Sequence, residues 1–253
     1  MRSGPVSGWS CPGEGAPLAP RTGLTQIRRM FIGHFAVALA AKRATPRTSL
    51  GWLFAACQLS DLIWPLLLLA GVERAHIAPG DTAATPLAFD HYPWSHSLLM
   101  TVVWGIVLGG IYLAWRGDRR AAVVLAAVVA SHWVLDGITH RPDLPITPWS
   151  DTRVGLGLWH SVIATVVVEG VLFALGIWLY STVTRPRDRT GRVAWVSLVV
   201  FLVLIYVANI FGPPPTNMTA VAVSALAIWF LVWWAAWADG HREVRARADR
   251  IVG

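Results

Sequence analysis

The stretch "AAVVLAAVVASHWVLDGITH", residues 121–140, decides how the chain is read. Its first half is a run of small apolar residues with helical character. Its second half adds His132, Asp136 and His140, each four residues after the last. At about 100° per residue, positions i, i+4 and i+8 fall within about 80° of one another on a helix. The three side chains therefore share one stripe if the helix continues through Gly137. A soluble core helix has no need of such a stripe, and a membrane helix bears a cost for each member. The same spacing also fits a simpler role, with Asp136 orienting His132 or capping a neighbouring helix.

The surrounding composition places this stretch in a bilayer. Of 253 residues, 55% are hydrophobic and only 14% charged, with a mean hydropathy of +0.53. Soluble domains carry about 25% charged residues. Apolar runs near the roughly 20 residues needed to cross a membrane recur at 49–72, 94–115, 121–137, 154–183, 193–212 and 218–238. The expected fold is all-α: a polytopic bundle of six transmembrane helices. The fourth run is long enough to tilt or to extend beyond the bilayer. Gly and Ala in the third run suit close helix packing, which predicts a central position for it.

Ahead of these runs, residues 31–41 are apolar but too short to span, and are expected to form a half-helix or re-entrant segment. The stretch "RRMFIGHFAVALAAKR" also fits a signal peptide with an "ALA" cleavage site. Cleavage would invert every later span against its loop charges, so the packed half-helix is preferred. Residues 1–29 are rich in Gly, Pro and Ser and are read as a disordered extension, or as sequence upstream of a working start at Met30. The transmembrane domain is then 30–240, and 241–253 form a basic tail.

Loop charges set an orientation. Segments 42–47, 116–120, 185–192 and 241–250 are basic, whereas 73–93, 138–153 and 213–217 are not. The two kinds alternate across the six spans, so the positive-inside rule puts the basic loops and the C-terminus in the cytoplasm. This arrangement also accounts for the net charge of +7 without any nucleic-acid partner. Trp94, Trp149 and Trp159 are expected at the outer interface, and Trp233, Trp234 and Trp237 at the inner one. Cys11 and Cys57 are too few and too far apart for a disulfide framework or a Cys metal site.

Ionisable residues within the apolar runs are His34, Asp61, His96, His132, Asp136, His160 and Glu169. Counting 1.5 Å per residue from the span ends, His96, His132 and His160 fall in one layer of the outer leaflet. Asp61 and His34 lie nearer mid-bilayer, where they close the same pocket from below. Pro65, just after Asp61, predicts a kink in the first span. Glu169 lies about 180° around the helix from His160 and is expected to serve a separate, supporting contact.

The order of these residues resembles the membrane-bound metal-dependent hydrolases of bacterial inner membranes. The matching positions are His34 in "GHFAVALA", Asp61 in "QLSDLIWP", His96 in "YPWSHSLL", and His132 with Asp136 in "SHWVLDGITH". The likeness covers about residues 31–145. Two departures are that "DHYPWSHS" offers His91 and no basic Arg before its His-Ser pair, and that His160 has no counterpart. The resemblance implies a metal site and a hydrolytic reaction, and its motif logic is similar to that of zinc-dependent phospholipases C.

Together these features predict a divalent-metal site, most simply Zn²⁺, with Mn²⁺ or Fe²⁺ as alternatives. Its ligands are drawn from His34, Asp61, His96, His132 and Asp136, with Asp61 and His160 in catalytic roles. A site in the outer headgroup layer implies a membrane lipid or lipid-linked phosphoester as substrate. No nucleophilic-Ser elbow and no P-loop is present to support acyl-enzyme or nucleotide chemistry. Intramembrane His and Asp residues also build proton or cation relays, ligate haem, or simply bond helices together in a scaffold.

Overall fold

The computed structural model describes residues 32–212 and 215–245. The N-terminal extension expected over 1–29 and the end of the basic tail, from 246 onward, lie outside the described residues. Among the described residues, five helices are long and apolar enough to cross a membrane: α5 (Leu98–Arg116), α6 (Arg119–Thr139), α7 (Val162–Val183), α8 (Arg189–Phe211) and the stretch Met218–Gly240. The last is made of α9 (Met218–Ala225) and α10 (Ile228–Gly240), joined by a tight turn. The bent pair α2 (Leu50–Cys57) and α3 (Leu59–Leu69), which meet at 55°, passes the same test when taken together and makes six crossings if it is one span. The protein is thus an all-α, polytopic helical bundle.

The first span breaks at Gln58, the residue between α2 and α3, while Pro65 is carried inside α3. The kink expected at the proline is therefore seven residues early. The fourth span is also shorter than its apolar run. Gly155 and Gly157 take positive φ values of 158° and 73°, which holds the chain out of helix until Ser161 caps α7 by accepting from the Ala164 amide.

The half-helix α1 (Ile32–Ala41) is about 15 Å long at 1.5 Å per residue, too short to cross. It is embedded in the bundle against α7, α2 and α6. Contact with α7 is close because Gly176 faces α1: a Cβ there would lie 2.8 Å from the Ala36 backbone. α6 is the most buried of the long spans. It packs on α5, where a Cβ on Gly105 or Gly109 would meet the Ala126 or Ala122 carbonyl at 2.9 or 2.7 Å. These two glycines, four apart, let the helix backbones approach. Apolar side chains such as Ile106, Ile111 and Leu204 are exposed on the outside of the spans, where hydrocarbon replaces water as solvent.

The two ends of the bundle differ. One end carries an antiparallel hairpin of β1 (Arg74–Ile77) and β2 (Leu87–His91), the short helix α4 (Pro93–His96), and a small ladder of β3 (Leu144–Pro145) with β4 (Arg153–Val154). The other end carries the basic turns. There the start of the expected tail folds back: β6 (Arg242–Val244) pairs with β5 (Thr184–Pro186). Buried Lys42 donates to the Thr48 carbonyl and to Asp239 at 2.6 Å, and Tyr180 donates to the other Asp239 oxygen at 2.7 Å. That network ties α1, α2, α7 and α10 together at the basic end.

Candidate metal centre

Four helices bring five of the predicted residues together near the hairpin end: His34 on α1, Asp61 on α3, His96 on α4, and His132 with Asp136 on α6. Asp136 is the hub. Its Oδ1 lies 3.2 Å from His34 Nε2. Its Oδ2 lies 3.2 Å from His132 Nε2 and 4.0 Å from His96 Nε2. Asp61 faces the same imidazoles from across the site, 3.4 Å from His96 Nε2 and 3.9 Å from His132 Nε2. Two overlapping sets, His34–His132–Asp136 and Asp61–His96–His132, each hold their donor atoms within 4.8 Å of one another.

The outer nitrogens of two of these rings are held by partners that fix their tautomer. His132 Nδ1 stands 2.8 Å from the Cys57 carbonyl, which can only accept, so Nδ1 carries a proton. Cys57 offers that carbonyl because the first span breaks just after it. His96 Nδ1 lies 2.7 Å from Ser95 Oγ. The Ser95 hydroxyl donates to Glu73 Oε2 at 2.6 Å, so it accepts from His96. Glu73 also accepts from the Trp94 and Ser95 amides, both at 2.9 Å, and so caps α4. With Nδ1 protonated on both rings, the Nε2 lone pairs point at carboxylate oxygens, which are acceptors too. Such a contact needs either a second proton on each ring or a shared cation. His34 is buried; its Nε2 faces Asp136 Oδ1 at 3.2 Å, and its Nδ1 has no hydrogen-bond partner among the described residues. Its ring lies tilted against that of His132, with the centroids 4.1 Å apart. The donor set, three imidazole nitrogens and two carboxylates, is of the kind that binds Zn²⁺.

One predicted member, His160, stands elsewhere. It ends a 3₁₀ turn (Leu158–His160) ahead of α7, is exposed, and bonds the Gly157 carbonyl at 3.0 Å. Its inferred depth assumed a helix from residue 154, and the glycine turn removes that premise. Glu169 is buried on α7, against Gly33 of α1 and Tyr206 of α8. His140 leaves the stripe because α6 stops at Thr139. It bonds Asp143 Oδ1 at 2.9 Å and packs on Trp159 at 4.1 Å. Trp159, expected at the membrane interface, is buried there.

Sequence reasoning missed Glu73, Ser95, Asp143 and the Cys57 carbonyl. Ser95 adjoins His96 in sequence and was open to notice. Glu73 is 23 residues from its histidine and gives no periodic signal. The Asp143 carboxyl, outside the spans, is raised by burial, but the His140 hydrogen bond and the Arg141 guanidinium outweigh this and hold it below the usual range.

The cluster forms one end of a cavity of about 340 Å³. His34, Asp61, His96 and Asp136 line that end, with His140 and Trp159 beside them. The opposite wall is apolar and comes from α8 and α10, including Phe201, Ile205 and Ile228.

Fold and site together define a multi-pass helical membrane protein with a buried His/Asp cluster at one end of the bundle. The chain belongs to the YdjM inner membrane protein family, whose model matches residues 24–213. That match takes in every member of the cluster and supports the expected inner-membrane setting, whereas α9 and α10 lie beyond it. No curated protein and no solved structure matches the chain.

Proposed function

We propose that the protein is a membrane metal-dependent hydrolase acting on a phosphoester of a lipid or lipid-linked substrate. The observation that carries this is the set of imidazole Nε2 atoms turned onto two carboxylates at the edge of a cavity, with the outer nitrogens of His132 and His96 held by dedicated acceptors. His34, His96, His132 and Asp136 would hold a divalent ion, most simply Zn²⁺. When bound, such an ion acidifies water and polarises a phosphoryl oxygen.

The chain's own groups divide the remaining work. The Asp61 side chain is 28% exposed, against 8% or less for the other four, so it is the cluster group best placed to accept a proton from water. His140, oriented by Asp143 and facing the cavity, is the non-ligating histidine able to return a proton to the departing oxygen. His160 takes no part in this scheme. By the loop charges, the hairpin end and the site face the outer leaflet and the C-terminus faces the cytoplasm.

A relay for protons or cations is less well supported. Toward the basic end, the cluster gives way to a hydrophobic core that includes Phe35, Phe54, Leu125 and Phe173. The test is release of phosphate or phosphorylated headgroup from phospholipid vesicles by the reconstituted protein. Release that is abolished by chelation and restored by Zn²⁺ is expected. Cation flux into liposomes with no turnover of any phosphoester would reverse the assignment.

A further inference from the structure

The cavity also opens away from the hairpin end. Ser224, Ala227 and Phe230 line it and are themselves exposed. They lie on the Met218–Gly240 span, so what meets them from outside is the bilayer. At the turn between α9 and α10, the hydrogen bonds tighten to i→i+3: Ala227 to Ser224 at 3.1 Å and Phe230 to Ala227 at 3.0 Å. Small side chains at this turn, Ser224, Ala225 and Ala227, line the same cavity as Phe201 and Ile205 of α8, Ile228 of α10 and the His/Asp cluster.

Water is a poor occupant of the cavity's apolar end, because an ordered water needs two to four polar partners and the wall offers few beyond Asn209 and Ser224. Hydrocarbon is a good one. The cavity is thus amphiphilic along its length, ionisable at one end and apolar at the other. Its volume lies at the small end of the range for ligand pockets, roughly 300–1,000 Å³. That admits one chain and not a whole two-chain lipid.

We infer that the cavity opens to the bilayer between α8 and the α9–α10 turn, through a lateral portal. Through it one hydrocarbon chain of a phospholipid enters from the bilayer and lies along Phe201, Ile205 and Ile228, which places its phosphoester at the His/Asp cluster. The headgroup placement rests on the hydrolase assignment; the chain placement does not. Selectivity for chain length then resides in α8 and α10, outside the helices that hold the cluster.

The test uses the full chain in phosphatidylethanolamine–phosphatidylglycerol vesicles doped with a phosphatidylglycerol that carries a diazirine in one acyl chain. After irradiation, adducts are mapped by mass spectrometry, with chelator present so that no turnover intervenes. Adducts are expected at Phe201 and Ile205 of α8 and at Ile228 of α10 in excess of those at Val203, Leu204 and Val207, the exposed positions of α8. Ala227→Trp should cut the wall adducts roughly tenfold and leave the exposed ones unchanged. Ser224→Phe, one turn away, is a second obstruction should the first variant lose its pattern at the exposed positions. Adducts confined to the exposed positions, or wall adducts indifferent to both substitutions, overturn the portal. Wall adducts in a protein that releases no phosphate keep the portal and remove the hydrolase. Phosphate release without wall adducts does the converse.

Discussion

His132 Nδ1 and the carbonyl oxygen of Cys57, 75 residues apart in sequence, stand at 2.8 Å where the first crossing breaks. The break at Gln58 interrupts the helix and leaves that carbonyl for the histidine. A helix defect in one span therefore fixes the tautomer of a ring in another and directs its Nε2 at Asp136. If the cluster holds a metal ion, the wild-type protein purifies with a stoichiometric amount, whereas His132→Ala and Asp136→Ala retain only traces. Metal analysis of the three proteins, with circular dichroism to confirm helix content, checks this. Equal trace metal in all three would remove the metal centre.

The Glu73–Ser95–His96 chain makes a second expectation. Ser95→Ala deletes the hydroxyl that links the carboxylate to the ring, and leaves Glu73 its two backbone contacts. Loss of one such outer partner typically weakens metal binding about 10- to 100-fold. Chelator competition should show that loss for Ser95→Ala, and Ser95→Thr should recover most of it because the hydroxyl returns. Equal affinities in the Ala and Thr variants would reduce the chain to a helix cap.

Much of this arrangement could be read from the sequence, because intramembrane charge is rare enough to be informative. His34, Asp61, His96, His132 and Asp136 each interrupt an apolar run, and the structure gathers all five. His160 stands outside that cluster because its apolar run is not helical from the start: Gly155 and Gly157 mark a turn in plain view. The break at Gln58 left no trace that competed with the nearby Pro65. Glu73 was invisible because its importance comes from three bonds to residues 21 and 22 positions away. The cavity wall on α8 and α10 carries no polar motif at all, so only tertiary structure assigns it a role.

Helix contact on α5 offers a matched pair. A Cβ on Gly109 would stand 2.7 Å from the Ala122 carbonyl, whereas one on Gly110 would meet nothing within 4 Å. In an open helix position, Gly→Ala gains about 1 kcal/mol. Forcing a methyl into packed backbone costs about 1–3 kcal/mol. Gly110→Ala should therefore raise the thermal midpoint in detergent, and Gly109→Ala should lower it. A rise in both would mean that α5 and α6 do not pack as closely as described.

The loop that leaves α6 carries a pH dependence of definite sign. Asp143 accepts from His140 at 2.9 Å, from Arg141 at 3.0 Å and from Tyr92 at 3.2 Å. Burial acts to raise its carboxyl, but the His140 and Arg141 contacts prevail and hold it below the usual range. A lowered carboxyl binds fewer protons in the folded state than in the unfolded one. Its stabilisation is therefore complete above the unfolded value, about 3.9, and is lost as pH falls through the folded value. The thermal midpoint should be insensitive to this group from pH 7 to about 5 and decline below about 4. Asp143→Asn should start lower and lose that acid limb, because the amide cannot ionise and leaves His140 without its anion. Since Asp143 also orients His140 at the cavity, the same variant should lower phosphoester turnover while leaving metal content at the wild-type level. A variant whose acid limb matches the wild type would place the sensitivity in other carboxylates.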